Sequence, residues 1–361
     1  MKRKRMRNAA EHKLRLVLLC VGIVALLLLA YKGGRWLETR SEKPETRGDY
    51  QERYTYEETI EVDGAVYRKR RDVTSVLLMG IDRDSDAVVT GYRNGGQADF
   101  LQLLVIDSAA KRITRVPIDR DTMTPITVLG VLGNKSGVRT AQICLSHGFG
   151  DGKQQSCELT VDAVSNLLLG APVDEYVAMN LDGISTLNDA VGGVTVTLTD
   201  DFSALDPAMT AGTTLTLMGD QAELFVRSRR SIGVGTNESR MQRQQTYIAQ
   251  MALQLDSRIA QSQEFIGTLY DELSPYLMTS MSRGLIINKV WAAKDYERAL
   301  VELAGEYSVG ADGFMEFKVD ETALQQVVLE LFYQKVKYSL DGLYEMQSGK
   351  PPAKKERGYL V

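Results

Sequence analysis

The chain has 361 residues, 44 % hydrophobic and 25 % charged, which suits one large or two small globular domains and excludes wholesale disorder. Its formal net charge is −4, yet the first fifteen residues hold seven basic side chains and one acidic, so the remainder carries −10. That acidic body argues against nucleic-acid binding, and two histidines with no Cys-x-x-Cys pair exclude the usual zinc-site spacings.

Residues 1–15 form a basic segment through Lys2, Arg3, Lys4, Arg5, Arg7, Lys13 and Arg15. An uncharged apolar run follows at 16–31. Leu14 extends it to roughly 18 residues, because Arg15 can snorkel, and that length just spans a bilayer. The positive-inside rule keeps the basic end cytoplasmic and places everything after Lys32 outside. The competing reading is a cleaved signal peptide, but Tyr31-Lys32-Gly33-Gly34-Arg35 offers no A-x-A site. We therefore expect a transmembrane signal-anchor at 16–31 and a polar extracytoplasmic stalk at 32–72. A globular domain follows at 73–340, and 341–361 is a flexible tail. The localisation that follows is the cell membrane, single-pass, with the C-terminal domain extracytoplasmic. Within the stalk, Arg68-Lys69-Arg70-Arg71 reads as a solvated charge run, with anionic headgroups as its other use.

Order is expected from Val73. Val76-Leu77-Leu78-Met79 ends at Gly80 as a buried strand would. Residues 100–106 and 113–118 predict two more strands, and Pro117 puts the end of the latter at an edge or exit. Thr160 is placed to N-cap a helix over 161–169 that Gly170 closes. A strand at 176–179 precedes a helix at 181–191, stopped by Gly192-Gly193, and an alternating strand at 194–198. Helices are expected from Gly219 to Phe225, over 240–258, up to Leu273, around 292–304 and from Glu321 to about Tyr338. Strands alternating with helices predict an α/β fold, an α-β-α sandwich with a central mixed sheet. Cys20 falls in the anchor, while Cys144 and Cys157 could form a disulfide. A serine hydrolase would have to use His147, and no G-x-S-x-G surrounds any serine.

Charged residues gather at strand ends and loop starts, where α/β sheets build sites. Asp82 follows the first strand, Gln97-Ala98-Asp99 leads into the second, and Asp119-Arg120-Asp121-Thr122 follows the third. Arg227 and Arg229 are two apart and point the same way in an extended segment. Arg240 and Gln244 are four apart, share a helix face, and Arg240 lies near an N-terminus that favours anions. Guanidinium forks match phosphate oxygens, and Asp82 and Asp99 are oxygen ligands of the kind Mg²⁺ uses beside a phosphate. Surface ion pairs are the plain alternative for each residue taken singly. The set points to a phosphorylated ligand and a metal.

The wording of these segments goes further. Leu77 to Asp82, Ala98 to Asp107, and Ile118-Asp119-Arg120-Asp121-Thr122 resemble, in order, the opening segments and the "IPRDT" signature of the LytR-CpsA-Psr family. Val191 to Val196 is similar to its "LGGVxV" turn. Met218 to Arg229 is similar to "LNGxQALxYxRxR", and Arg240 to Gln245 to "RxxRQQ". The resemblance covers about Thr74 to Lys337. Three positions depart from it: Gln97 stands where the family usually has Arg, Phe100 where it has Ser or Thr, and Asp119 where it has Pro.

The resemblance implies a phosphotransferase that takes a glycopolymer, such as teichoic acid or capsular polysaccharide, from polyprenyl pyrophosphate to peptidoglycan through a phosphodiester. It implies Mg²⁺ at Asp82 and Asp99. It implies the pyrophosphate at Arg120, Arg227, Arg229, Arg240 and Gln244, with Asp121 orienting the attacking sugar hydroxyl. It also implies a lipid tail held between sheet and helices, where an ordinary core is the plain reading. The partners are then the lipid-linked glycopolymer, the peptidoglycan acceptor and the cell membrane, with no nucleic acid. Two other functions remain open: a non-catalytic polyprenyl-phosphate-binding scaffold, and a membrane-linked transcription regulator. The second lacks a recognition helix.

Overall fold

The computed structural model describes residues 59–83, 95–130, 132–228 and 237–336, with the backbone alone for 237–242. All of them fall in one compact unit, Tyr54–Val361. The expected anchor at 16–31, the first part of the stalk and the tail at 341–361 lie outside the described residues. Among the described residues, no helix is long and apolar enough to cross a membrane.

In chain order the elements begin with strands β1 (Thr59–Val62), β2 (Ala65–Lys69), β3 (Val73–Asp82), β4 (Gln97–Asp107), β5 (Arg112–Ile118), β6 (Met123–Leu129) and β7 (Lys135–Gln142). Helices α1 (Leu145–Gly148) and α2 (Gln154–Leu167) precede β8 (Glu175–Asn180), α3 (Gly183–Ala190), β9 (Val194–Thr197) and β10 (Thr214–Leu217). Then come α4 (Asp220–Arg227), α5 (Asn237–Gln261), α6 (Gln263–Leu273), β11 (Leu277–Thr279), α7 (Arg283–Ala292) and β12 (Glu297–Leu300). The described part ends with β13 (Gly305–Val309), β14 (Met315–Val319), α8 (Glu321–Phe332) and β15 (Tyr333–Lys335).

The fold is mixed α/β around a six-stranded sheet in the order β11-β8-β3-β4-β5-β12. The sheet is mixed: β4 runs antiparallel to β3 and β5, while β8 and β12 join by parallel pairing. Its two faces differ. Leu77, Met79, Leu101, Leu103, Val116 and Ala178 point into a core shared with α2 and α8. Their strand neighbours Leu78, Gln102, Leu104, Val177 and Met179 are only half-buried. The alternation breaks at one place. The register of β3 on β4 slips between Gly80 and Ile81, so Asp99 bulges out of the ladder. A Cβ at Gly80 would sit 3.0 Å from that of Phe100, which explains the glycine there. A second core gathers Val194, Val196, Phe202, Leu217, Phe225, Tyr247 and Met251 around the β9–β10 hairpin, α4 and α5.

Several expectations change. The hairpin β1–β2 lies inside the segment expected to be stalk, and β15 extends it through Tyr333↔Lys69. Arg70, expected in a solvated run, bonds Asp72 at 2.7 Å and also pairs with Asp107, tying β2 to the sheet. Helix α2 starts well before Thr160, because Asp151 Oδ1 accepts from the amides of Lys153 and Ser156 and sets the turn earlier. Thr160 is buried inside it and donates back to the Ser156 carbonyl at 3.0 Å. The helix expected around 292–304 is instead the end of α7 followed by β12, whose parallel pairing with Arg112–Arg115 overrides local propensity. That pairing stops before Pro117, so Pro117 occupies an exit as anticipated. Helix α8 ends at Phe332 rather than near Tyr338, because the chain turns to pair with β2.

Adjacent residues of β3 test the two-faced sheet. Leu77→Ala should cost about 2–5 kcal/mol in urea unfolding, as a buried deletion does. Leu78→Ala on the half-buried face should cost about 1 kcal/mol. Equal losses would contradict the asymmetry.

Candidate active site

The register of β4 on β5 pairs Leu101 with Ile118 and Asp107 with Arg112. Continued two residues past the ladder, it sets Arg120 opposite Asp99. The side chains meet there: Arg120 Nη1 lies 2.6 Å from Asp99 Oδ1, and Nε lies 3.6 Å from Asp121 Oδ1. Arg120 Nη2 donates to Gln97 Oε1 at 2.7 Å and approaches Cys144 Sγ at 3.7 Å. Gln97, the departure from the family's Arg, therefore steadies Arg120. On the other side of β4, Asp82 pairs with Gln97 and ends β3. Bulge and register together bring Asp82, Gln97, Asp99 and Arg120 to one end of the sheet.

Asp119 replaces the proline of the signature, and the turn is held by other means. Asp119 Oδ1 accepts from the Asp121 amide at 2.8 Å, its carbonyl from the Thr122 amide at 3.1 Å, and its Oδ2 from the Tyr307 hydroxyl at 2.5 Å. The Asp121 carbonyl accepts from the Phe317 amide at 2.9 Å. The β13–β14 hairpin thus clamps the Arg120 turn, a contact over nearly two hundred residues of sequence that no local pattern announces.

Burial, with Asp119 beside it, lifts the Asp121 carboxyl above the usual range against the pull of Arg120. Burial also works against the Arg120 charge, but Asp99, Cys144 and Asp121 outweigh it and hold the guanidinium above its ordinary value. Burial pushes the Cys144 thiol up to about 11, so it is no thiolate nucleophile at neutral pH. Cys144 and Cys157 are both free and buried, and the possible disulfide is not formed. His147 is buried, and its pKa is lowered by that burial. Its Nδ1 donates to the Gly96 carbonyl at 3.1 Å and its Nε2 faces Cys157 at 3.9 Å, so no serine is activated.

The second group of predicted residues belongs to α4 and α5. Arg227 ends α4 and bonds Glu223 at 2.5 Å. Gln244 Nε2 donates to the Val226 carbonyl at 3.2 Å, so its amide steadies the backbone that carries Arg227. Arg229 lies outside the described residues, and Arg240 sits in the first turn of α5, its side chain likewise outside them. The structure thus joins Arg120 to Asp99 and Asp121, and Gln244 to the segment of Arg227. Sequence reasoning passed over Arg243. It is 4 % exposed, bonds Asp200 Oδ2 at 2.5 Å, and donates to the carbonyls of Phe225 and Ser228 at 3.2 and 2.6 Å. Its position one helical turn after Arg240 was the available signal.

The donor set fits a phosphate-bound Mg²⁺. Asp82 and Asp99 come from adjacent strands at one end of the sheet, and Mg²⁺ takes one or two carboxylates plus substrate phosphates. Among the described residues, no three candidate ligands group into an all-protein cage.

Two outcomes follow from this geometry. Arg243→Met leaves Asp200 buried without its partner and should cost about 3–5 kcal/mol, much of it recovered by adding Asp200→Leu. Thermal unfolding of single and double variants checks this. Asp121 has a raised folded pKa, so the stability tied to it is full below its unfolded pKa and falls as pH rises through the folded value. Asp121→Asn should therefore gain stability relative to wild type from pH 3 to pH 7. A constant difference across that range would contradict the shift.

The family model described as the LytR_cpsA_psr family matches residues 37–332. A relative from Bacillus subtilis, the polyisoprenyl-teichoic acid–peptidoglycan teichoic acid transferase TagU, is 26 % identical over 332 residues, 90 % of this chain and 98 % of its own. The cell wall biosynthesis protein LcpA of Corynebacterium glutamicum is 29 % identical over 64 % of this chain and 48 % of its own. Among solved structures, the protein gbs0355 of Streptococcus agalactiae superposes with a TM-score of 0.56 at 21 % identity, covering 76 % of this chain and 95 % of that one. TagT bound to LI-WTA gives 0.53 at 22 % identity, over 78 % and 96 %. With a family model that spans most of its length and a sheet end built from that family's segments, this chain belongs to the LytR-CpsA-Psr family.

Proposed function

We propose that this protein is a membrane-anchored phosphotransferase that moves a glycopolymer from polyprenyl pyrophosphate to peptidoglycan through a phosphodiester. The observation that carries the reading is the Arg120 guanidinium held between Asp99, Asp121 and Gln97 at one end of the sheet. Relatives named as teichoic acid transferases support the reaction class. The 16–31 segment would place the domain outside the cytoplasm, where peptidoglycan lies. Helices α3 and α5–α7 would form the third layer of an α-β-α sandwich, and the half-buried sheet face of Leu78, Leu104, Val177 and Met179 would receive the lipid tail.

In this reading Arg120 and Arg227, with Arg229 and Arg240, bind the pyrophosphate oxygens. Arg243 and Gln244 hold the α4 end that positions Arg227. The acceptor hydroxyl oxygen attacks the phosphorus that carries the glycopolymer. The bond from that phosphorus to the lipid-side bridging oxygen breaks, and polyprenyl phosphate leaves. The hydroxyl proton passes to Asp121, whose raised pKa makes it a better base than an ordinary carboxylate. Asp82 and Asp99 would hold Mg²⁺, which supplies charge neutralisation on the phosphate oxygens when bound. Such chemistry needs positioning and charge more than a covalent nucleophile, which suits a site whose nearest thiol stays protonated.

The test uses the full chain in detergent with a polyprenyl-pyrophosphate-linked glycopolymer and peptidoglycan, following polyprenyl phosphate release and the new linkage. Arg120→Ala should lower the rate by about 100- to 1000-fold, and Asp99→Ala or a strong chelator should act comparably. Arg120→Lys should also be impaired, because an ammonium cannot reproduce the bidentate fork. Wild-type rates in these variants would remove the residues from the mechanism. Lipid binding without turnover in the wild type would make the protein a scaffold.

A further inference from the structure

We propose that the cleft between the β6–β7 and β13–β14 hairpins binds an uncharged, hydroxyl- and amide-bearing glycan, with Phe314 as its stacking platform; this assignment of the acceptor side rests on the transferase reading above. The cleft has a volume of about 660 Å³ and runs from Arg120 and Asp121 out to Phe314. That is ample room for a short stretch of sugar chain.

Its charges identify the occupant. Arg120 and Arg139, with Lys318 paired to Glu316 at 3.2 Å, are set against Asp121, Asp312 and Glu316, so the cleft is balanced in charge and has no cationic excess. A polyanionic glycopolymer would find no surplus of cations there to offset the repulsion between its own charges, at a cost that grows with each repeat. A neutral glycan would instead find donors and acceptors, including Thr140 and Gln142 on β7. The same cleft reaches the proposed reaction centre, since Arg120 and Asp121 line both. In the transferase reading the donor brings the pyrophosphate to Arg120, so a neutral chain in this cleft is the acceptor.

The apolar wall fits as well. Phe314 is 65 % exposed, and its neighbours Val309 and Met315 are 68 % and 43 % exposed. Sugars present an apolar face of C–H groups, whose positive edge suits the negative face of an aromatic ring. The turn that carries the ring is well defined. The Phe314 amide donates to Asp312 Oδ1 at 3.1 Å, the Gly310 amide donates to the Phe314 carbonyl at 2.8 Å, and Gly313 takes the φ of 82° that the tight turn needs. Gln142 Nε2 donates to the Met315 carbonyl at 3.2 Å, which joins the two hairpins across the cleft. The same hairpin clamps the Arg120 turn, so the platform and the reacting groups are tied to one element.

The experiment titrates the full chain in detergent micelles with two probes: an uncharged oligosaccharide of β-1,4-linked N-acetylglucosamine, and a polyprenyl pyrophosphate. Phe314→Ala should weaken oligosaccharide binding about fivefold to tenfold and leave pyrophosphate binding unchanged. Phe314→Trp should retain the oligosaccharide, and Arg120→Ala should lose the pyrophosphate. Oligosaccharide affinity indifferent to Phe314, beside intact pyrophosphate binding, would overturn the cleft and leave the transferase reading standing. Phe314-dependent oligosaccharide binding without any pyrophosphate binding would support the cleft and overturn the transferase reading. A poly(glycerol phosphate) oligomer bound with the same dependence on Phe314, or a dimer that only Phe314→Ala dissolves while sugar binding stays unchanged, would give the cleft to another occupant and overturn the proposal.

Discussion

The ion pair between Asp99 and Arg120 is the interaction on which the site depends, and it is a product of strand register. Antiparallel pairing of β4 with β5 makes the two residues cross-strand partners just beyond the ladder. The bulge at Asp99 frees that residue from the ladder, while Pro117 and the early end of β12 free the exit of β5. A one-residue slip in either pairing would send Arg120 or Asp99 to the opposite face. The buried face of Leu77, Leu101, Leu103 and Val116 penalises that slip. The core therefore fixes the charge chemistry at its end.

A second buried guanidinium does for the helical part what register does for the sheet. Arg243 satisfies the Phe225 and Ser228 carbonyls at the end of α4 and neutralises Asp200. It also lies over the Phe202 ring, 5.4 Å from its centre. The two carbonyls bracket the segment carrying Arg227, which Gln244 braces through the Val226 carbonyl. Arg243 within that motif is thus scaffold. Arg240 and Arg243 are the same residue type three positions apart, and burial marks Arg243 as structural.

The central strands were legible because their apolar runs are long and their neighbours adjacent in sequence, as for Val116 and Leu103. The Gly192-Gly193 stop was legible because both glycines adopt positive φ, which side-chain-bearing residues avoid. What failed depended on partners distant in sequence. The segment 297–300 forms a strand because the edge of β5 was open to it, and Tyr333 leaves its helix because β2 offers a partner. Among the candidate site residues, Asp99, Arg120 and Asp121 were legible as a group, since aspartate and arginine gather at the ends of β4 and β5. Their supports, Gln97, Tyr307 and Cys144, were not, because support is a matter of distance and only the fold supplies it.

An acidic domain that collects arginines meets a physical conflict, and the described residues show how it is eased. Each guanidinium brings its own counter-charge: Asp99 and Asp121 for Arg120, Glu223 for Arg227, Asp200 for Arg243. The carboxylates let arginines stand in a partly buried site before any anion arrives. Under the proposed function a pyrophosphate would have to compete with Asp99 for Arg120, and a cation held by the displaced carboxylate would ease that exchange. Asp99 would pass from guanidinium to metal as the guanidinium passes from carboxylate to phosphate, so neither charge is left without a partner. The Gln97 amide suits that exchange better than a second arginine would, since it holds Arg120 at 2.7 Å without adding a positive charge that Asp99 would also have to balance.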